Sequence, residues 1–105
     1  THQHNFPKLK SLLCPLLDRA FSAFLADLHD RGLLETTLVV ALGEFGRTPN
    51  INSSLGRDHF ASAWSASLTG CGVKGGAVYG KTDDDGQKVV DGECKSGDLF
   101  ATIFE

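Results

Sequence analysis

Apolar positions recur every three or four residues through Leu9, Leu12, Leu13, Leu16, Leu17, Ala20, Phe21, Phe24, Leu25 and Leu28. That spacing places them along one face of a helix. Lys8, Lys10, Asp18, Arg19, Asp27 and Asp30 fall mostly on the other face. Asn5 is a candidate N-terminal cap, Pro7 suits the first turn, and Gly32 suits the C-terminal stop. Pro15 lies inside the pattern and predicts a kink, or a late helix start, because it lacks an N–H. The period then changes. Thr36 to Leu42 is short, apolar and β-branched, which predicts a buried strand. A helix feeding directly into such a strand is α/β in character.

Beyond Leu42 the pattern breaks into Gly43-Glu44-Phe45-Gly46-Arg47-Thr48-Pro49-Asn50 and stays polar to Asp58-His59. A long loop at the C-terminal end of a strand is where open α/β sheets hold ligands. Ser65–Thr69 predicts a second core strand with Trp64 at its entry. Ala77–Tyr79 and Lys88–Val90 flank Asp83-Asp84-Asp85-Gly86, which predicts a hairpin with an Asp-Gly turn. Gly97 to Phe104 predicts a final helix that runs to Glu105.

Composition narrows the classes. The chain has 105 residues, with 41% hydrophobic and 22% charged, values of a globular rather than a disordered sequence. Ten Lys+Arg against 13 Asp+Glu gives a net charge of −3, so no basic stripe points to nucleic acid. No apolar run approaches the roughly 20 residues of a membrane span, and no signal peptide is visible. There is no methionine, and the chain opens Thr-His-Gln-His, so it reads as a piece of something longer. Cys14, Cys71 and Cys94 form no C-x-x-C pair and read as three partly buried thiols.

Several groups could carry chemistry. With Gly86 at position 6 of a calcium loop, Asp83 and Asp85 fit, but Lys81 and Gly92 occupy positions that need acids. A solvated hairpin tip fits better. His2 and His4 form an H-x-H that could share a metal or stand as two exposed imidazoles. Glu44 could ligate a metal and Arg47 could grip a phosphate or sulfate; equally, the two could form a local ion pair. Asp58-His59 pairs an acid with an imidazole, as a metal ligand, a general base or a bonded loop pair. No G-x-S-x-G elbow and no phosphate-binding P-loop is present.

The runs Thr-Leu-Val-Val-Ala-Leu-Gly-Glu-Phe-Gly-Arg-Thr-Pro (37–49), Gly-Arg-Asp-His-Phe (56–60) and Gly-Cys-Gly-Val-Lys-Gly-Gly-Ala-Val-Tyr-Gly-Lys-Thr-Asp (70–83) resemble those of uncharacterised sulfatase-like proteins abundant in planctomycetes. That group belongs to the alkaline-phosphatase superfamily. The opening Thr-His-Gln-His-Asn-Phe and the closing Gly-Asp-Leu-Phe-Ala-Thr-Ile are similar to it as well, so the resemblance covers nearly the whole chain.

The resemblance implies that residues 1–105 are the C-terminal portion of one sulfatase-like α/β sandwich. It implies a divalent metal (Ca, Zn, Mn or Mg) with His2, Glu44, Asp58 and His59 as ligands. It further implies Arg47 and Asn52 in a substrate-binding role, and a sulfated or phosphorylated small molecule or polysaccharide as partner. The parent protein would be an exported hydrolase of sulfate or phosphate esters, acting in the periplasm or outside the cell. The alternative is a non-catalytic anion- or polysaccharide-binding protein on the same fold.

Two departures stand out. Phe45 replaces the histidine that follows the acid in the superfamily, and neither Cys14, Cys71 nor Cys94 fits the sulfatase nucleophile motif. The resemblance therefore places the nucleophile outside residues 1–105 and makes this piece inactive alone. An incomplete sheet leaves unpaired edges, so self-association is expected.

Overall fold

The computed structural model describes residues 1–104; the end of the final helix at Glu105, expected from sequence, lies outside the described residues. The chain is a mixture of helices and small antiparallel sheets. Helix α1 (Asn5–Lys8) continues through a π-helical stretch, Leu9–Leu13, into α2 (Cys14–Asp30). Pro15 explains the stretch. It cannot donate to the carbonyl four residues back and its ring crowds that carbonyl, so the turn ahead of it widens. The helix is continuous, and its long regular α-helical part begins at Cys14, next to Pro15.

Asn5 is not the cap. His4 holds that place in the left-handed region (φ 47°), and Asn5 is the first helical residue, 3% exposed. Gly32 ends α2 as expected, with φ 70°, and its N–H bonds the His29 carbonyl at 2.9 Å. A single 3-10 turn, Leu33–Glu35, leads to β1 (Val39–Leu42).

Strand β1 is shorter than the 36–42 predicted. It pairs antiparallel with β4 (Ala66–Thr69), Val39 opposite Thr69 and Leu42 opposite Ala66. Strand β2 (Gly46–Arg47) pairs with β3 (His59–Phe60). The hairpin forms from β5 (Lys81–Thr82) and β6 (Val89–Asp91) rather than from Ala77–Tyr79, because Asp83 closes the turn next to Thr82. Its carboxylate accepts from the Gln87 and Lys88 backbone N–H groups at 2.7 and 3.2 Å. Helix α3 (Ser96–Phe104) ends the described chain.

The expected buried strands are not buried. β1 is half-buried to exposed, and Leu28 is the one buried hydrophobic side chain among the described residues. The radius of gyration is 15.9 Å, where a compact chain of this length has about 13 Å. The surface is 8071 Å², against about 5,700 Å² for a compact protein of this mass. The thiols of Cys14, Cys71 and Cys94 are likewise exposed rather than partly buried. No helix among the described residues is long and apolar enough to cross a membrane.

Leu12, Leu13, Leu16, Leu17 and Phe24 lie 42–65% exposed along the helix. A stripe of this extent drives association. Sedimentation velocity on the 105-residue chain should show mass rising with concentration, and Leu16→Lys with Leu17→Lys should suppress it. A second expectation concerns the corner between β4 and the helix. Gly70 has φ 94°, and an added Cβ would overlap the Thr37 carbonyl, whereas Gly32 faces open space. In urea titrations Gly70→Ala should cost about 3 kcal/mol or more, and Gly32→Ala only about 1–2 kcal/mol.

Candidate functional site

The β2–β3 ladder brings two distant segments together. Arg47 stands opposite His59, and Gly46 opposite Phe60. Thr48 and Asp58 extend the pairing. The Thr48 N–H bonds the Asp58 carbonyl at 3.0 Å, and the Asp58 N–H bonds Thr48 Oγ1 at 3.0 Å. Between these strands, residues 52–56 fold into a turn around the Asn52 side chain. Asn52 Oδ1 accepts from the N–H groups of Ser54 (3.0 Å) and Gly56 (2.9 Å). Its Nδ2 donates to the His2 carbonyl and to Asp58 Oδ1, both at 3.0 Å.

The first residues of the chain lie along this turn. His4 N–H donates to the Ser54 carbonyl (3.0 Å), Asn5 N–H to Leu55 (2.9 Å), and Arg57 N–H to the Thr1 carbonyl (3.2 Å). Gly56 is required at the crossing, since a Cβ there would overlap the His2 carbonyl. The Arg57 guanidinium ties the far side, donating to the carbonyls of Thr48 (2.7 Å) and Pro49 (2.5 Å).

This framework fixes three titratable side chains. His2 Nδ1 lies 3.1 Å from Asp58 Oδ1, and His2 Nε2 lies 3.1 Å from His59 Nε2. Arg47 Nη1 approaches His2 Nε2 at 3.4 Å and the Arg57 carbonyl at 3.3 Å. The partners define the tautomers. Asp58 Oδ1 accepts from the Nδ1–H of His2, and of the two facing Nε2 atoms one donates and the other accepts, with Arg47 beside them. Phe45 stacks on His59, ring centroids 3.7 Å apart and planes 29° from parallel. Arg47 lies over the same Phe45 ring at 5.5 Å.

His2 and Asp58 are 53% and 54% exposed, so solvent screens their attraction. The bond from His2, and then the bond from Asn52, hold the Asp58 carboxyl below its ordinary value of 3.8. Slight burial opposes this without reversing it.

Five of the six residues predicted for the site thus meet: His2, Arg47, Asn52, Asp58 and His59. Glu44 is exposed and makes no hydrogen bond or ion pair among the described residues, with Arg47 or otherwise. Both Asn52 donors are committed to the framework, which makes it the organiser of the site rather than a free contact for an anion. His4 does not join His2, because its N–H is tied to Ser54 and its backbone turns left-handed. Among the described residues no group of three His, Cys, Asp or Glu side chains is placed to hold a metal ion. Sequence reasoning missed the Phe45 stack and the Thr48 bridge. The Asn-x-Ser-x-Gly order of residues 52–56 carries the signal of an Asn-centred turn.

The description "Protein of unknown function (DUF1501)" matches residues 1–105, and the chain belongs to this family. No curated protein and no solved structure matches it.

Folding of the site should depend on acid in one direction. Asp58 titrates lower in the folded chain than in the unfolded one. Its contribution is therefore full above the ordinary carboxylate value and is lost as pH falls through the folded-state value. In a carbon-detected NMR titration its midpoint should lie below 3.8. His2→Ala should return it upward, and the contacts of residues 1–5 with the turn should loosen over the same pH range.

Proposed function

We propose that the His2–Asp58–His59 cluster, with Arg47 beside it, is the anion- and metal-facing corner of a sulfatase-like hydrolase of sulfate or phosphate esters. The observation that carries this is the 3.1 Å separation of the two Nε2 atoms, with Asp58 on the opposite nitrogen of His2. Two imidazoles on one tetrahedral ion, at bond lengths of about 2.0–2.1 Å, have their nitrogens roughly 3.3 Å apart. A carboxylate on the remote ring nitrogen is the usual partner of a metal-binding histidine. Asp58 therefore orients a ligand more readily than it serves as one.

The fit covers two nitrogen donors. A third is missing among the described residues, and Glu44 would have to turn inward to supply it. A bound divalent cation would polarise an ester oxygen and neutralise charge on it. This chain's own residues do the rest. Asp58 holds the His2 ring in one tautomer. Arg47 presents a permanent positive charge to an incoming ester, and Phe45 shields one face of His59 from water.

Phe45, standing where the superfamily has a ligand, favours a second reading: a site that binds sulfated or phosphorylated ligands without turning them over.

Metal content and ester hydrolysis measured together test the proposal. Under zinc or manganese dialysis His59→Ala should abolish stoichiometric metal. Asp58→Asn should weaken it about 10–100-fold, and Glu44→Ala should weaken it as well. Metal binding unchanged in both His59→Ala and Glu44→Ala would overturn the assignment. Retained binding without hydrolysis in a protein that carries the nucleophile would select the second reading.

A further inference from the structure

The long helix carries two apolar faces, and the chain itself uses one of them. Phe21 and Leu25 are half-buried and Leu28 is buried. On the other face Leu13, Leu17, Ala20 and Phe24 are exposed, with Leu12 and Leu16 beside them. Leu13, Leu17, Ala20 and Phe24 follow one another at intervals of four, three and four. That series is the same from either end. Two copies laid antiparallel therefore stay in register along the whole stripe. Leu13 meets Phe24 of the second copy, and Leu17 meets its Ala20. Each contact sets a larger side chain against a smaller one, which fills the space evenly. A parallel arrangement sets Ala20 on Ala20 and Phe24 on Phe24, a void next to a bulge.

The charges have the same order. Lys8 and Lys10 are exposed at the start of the helix, and neither has an ion-pair partner among the described residues. Asp27 and Asp30 are exposed at its end. Asp27 engages Arg31 through Oδ1, at 2.8 Å, and its Oδ2 makes no bond among the described residues. Asp30 meets the neighbouring His29 at 3.4 Å. In the antiparallel register the lysines of each copy lie level with the aspartates of the other. In a parallel register lysines face lysines and aspartates face aspartates. Exposed pairs add little affinity, but like charges reject the wrong orientation.

We infer that this face binds the same face of a second copy, antiparallel, about a twofold axis that passes between Asp18 and Arg19. Leu12, Leu13, Leu16, Leu17 and Phe24 are 42–65% exposed and present on the order of 100 Å² each. Ala20 and the lysine stems bring the face to roughly 600–700 Å², close to the about 800 Å² that one side of a standard interface buries. The contact is self-complementary, so it closes on itself and assembly stops at two chains. The stripe thus specifies a partner, an orientation and a register, beyond a tendency to associate.

Sedimentation equilibrium and a spin-label experiment on the 105-residue chain test the pair. Apparent mass should rise with concentration and level off at twice that of one chain. Lys8→Glu with Lys10→Glu should weaken the dimer roughly tenfold, with helicity unchanged by circular dichroism, because acids then face acids. Adding Asp27→Lys and Asp30→Lys to that same chain should restore the affinity. In a parallel pair the first change would only exchange one like-charge contact for another. For the spin label, Cys71→Ser and Cys94→Ser leave Cys14 as the one thiol to carry a nitroxide. In the proposed register Cys14 lies level with Ala23 of the second copy. Mixed with an isotope-labelled chain in which all three cysteines are serine, the nitroxide should broaden amide signals centred on Ser22–Phe24. Broadening centred on residue 14, a mass that stays at one chain, or a mass that climbs past two chains without levelling would each overturn the antiparallel pair. So would a fourfold variant that binds no more tightly than the twofold one.

Discussion

The carboxamide of Asn52 is the point on which the site hangs. Its oxygen gathers two backbone N–H groups of its own turn, and its nitrogen reaches both the His2 carbonyl and the Asp58 carboxylate. One side chain therefore sets the loop conformation and the position of the N-terminal segment, and it adds to the lowering of the Asp58 carboxyl that the bond from His2 leads. All of its hydrogen-bonding capacity is used by these contacts. Asp at this position would lose the donors, and Gln would displace them by a methylene. The arrangement needs a short side chain with both a donor and an acceptor end.

A site built in this way needs little hydrophobic core. The helix contributes one buried hydrophobic side chain among the described residues, and the strands remain partly open. Backbone hydrogen bonds between residues 1–5 and 52–57 hold His2 in place instead. Hydrogen bonds in water each contribute about 1 kcal/mol net. Several acting on one rigid turn can order a short segment that apolar burial alone would leave free. The same balance leaves the leucine stripe of α2 facing solvent, where it stabilises nothing within the described chain.

Local elements were readable in the sequence wherever one short-range rule governed them. Gly32 ends the helix because a left-handed residue was needed there. Asp83 to Gly86 turns because Asp and Gly favour that geometry. The final helix, expected from Gly97, runs over Ser96–Phe104. Burial was not readable. The run Thr36–Leu42 has the composition of a core strand, but composition says only what a segment prefers, and burial requires a partner layer on both faces. Pro15 was read as a kink or a late helix start; the long α-helix does begin at Cys14, but a widened π-helical turn joins it to the turn before, which the proline alone does not announce.

The cluster itself was legible residue by residue, since His2, Arg47, Asp58 and His59 each stand out as chemistry-bearing groups. What joins them was not. The ladder that sets Arg47 opposite His59 is two residues long on each strand, too short for any periodicity to reveal. Tautomer and charge follow only from the joined geometry. With Asp58 on Nδ1 of His2, Arg47 and His59 both converge on the Nε2 side of the same ring.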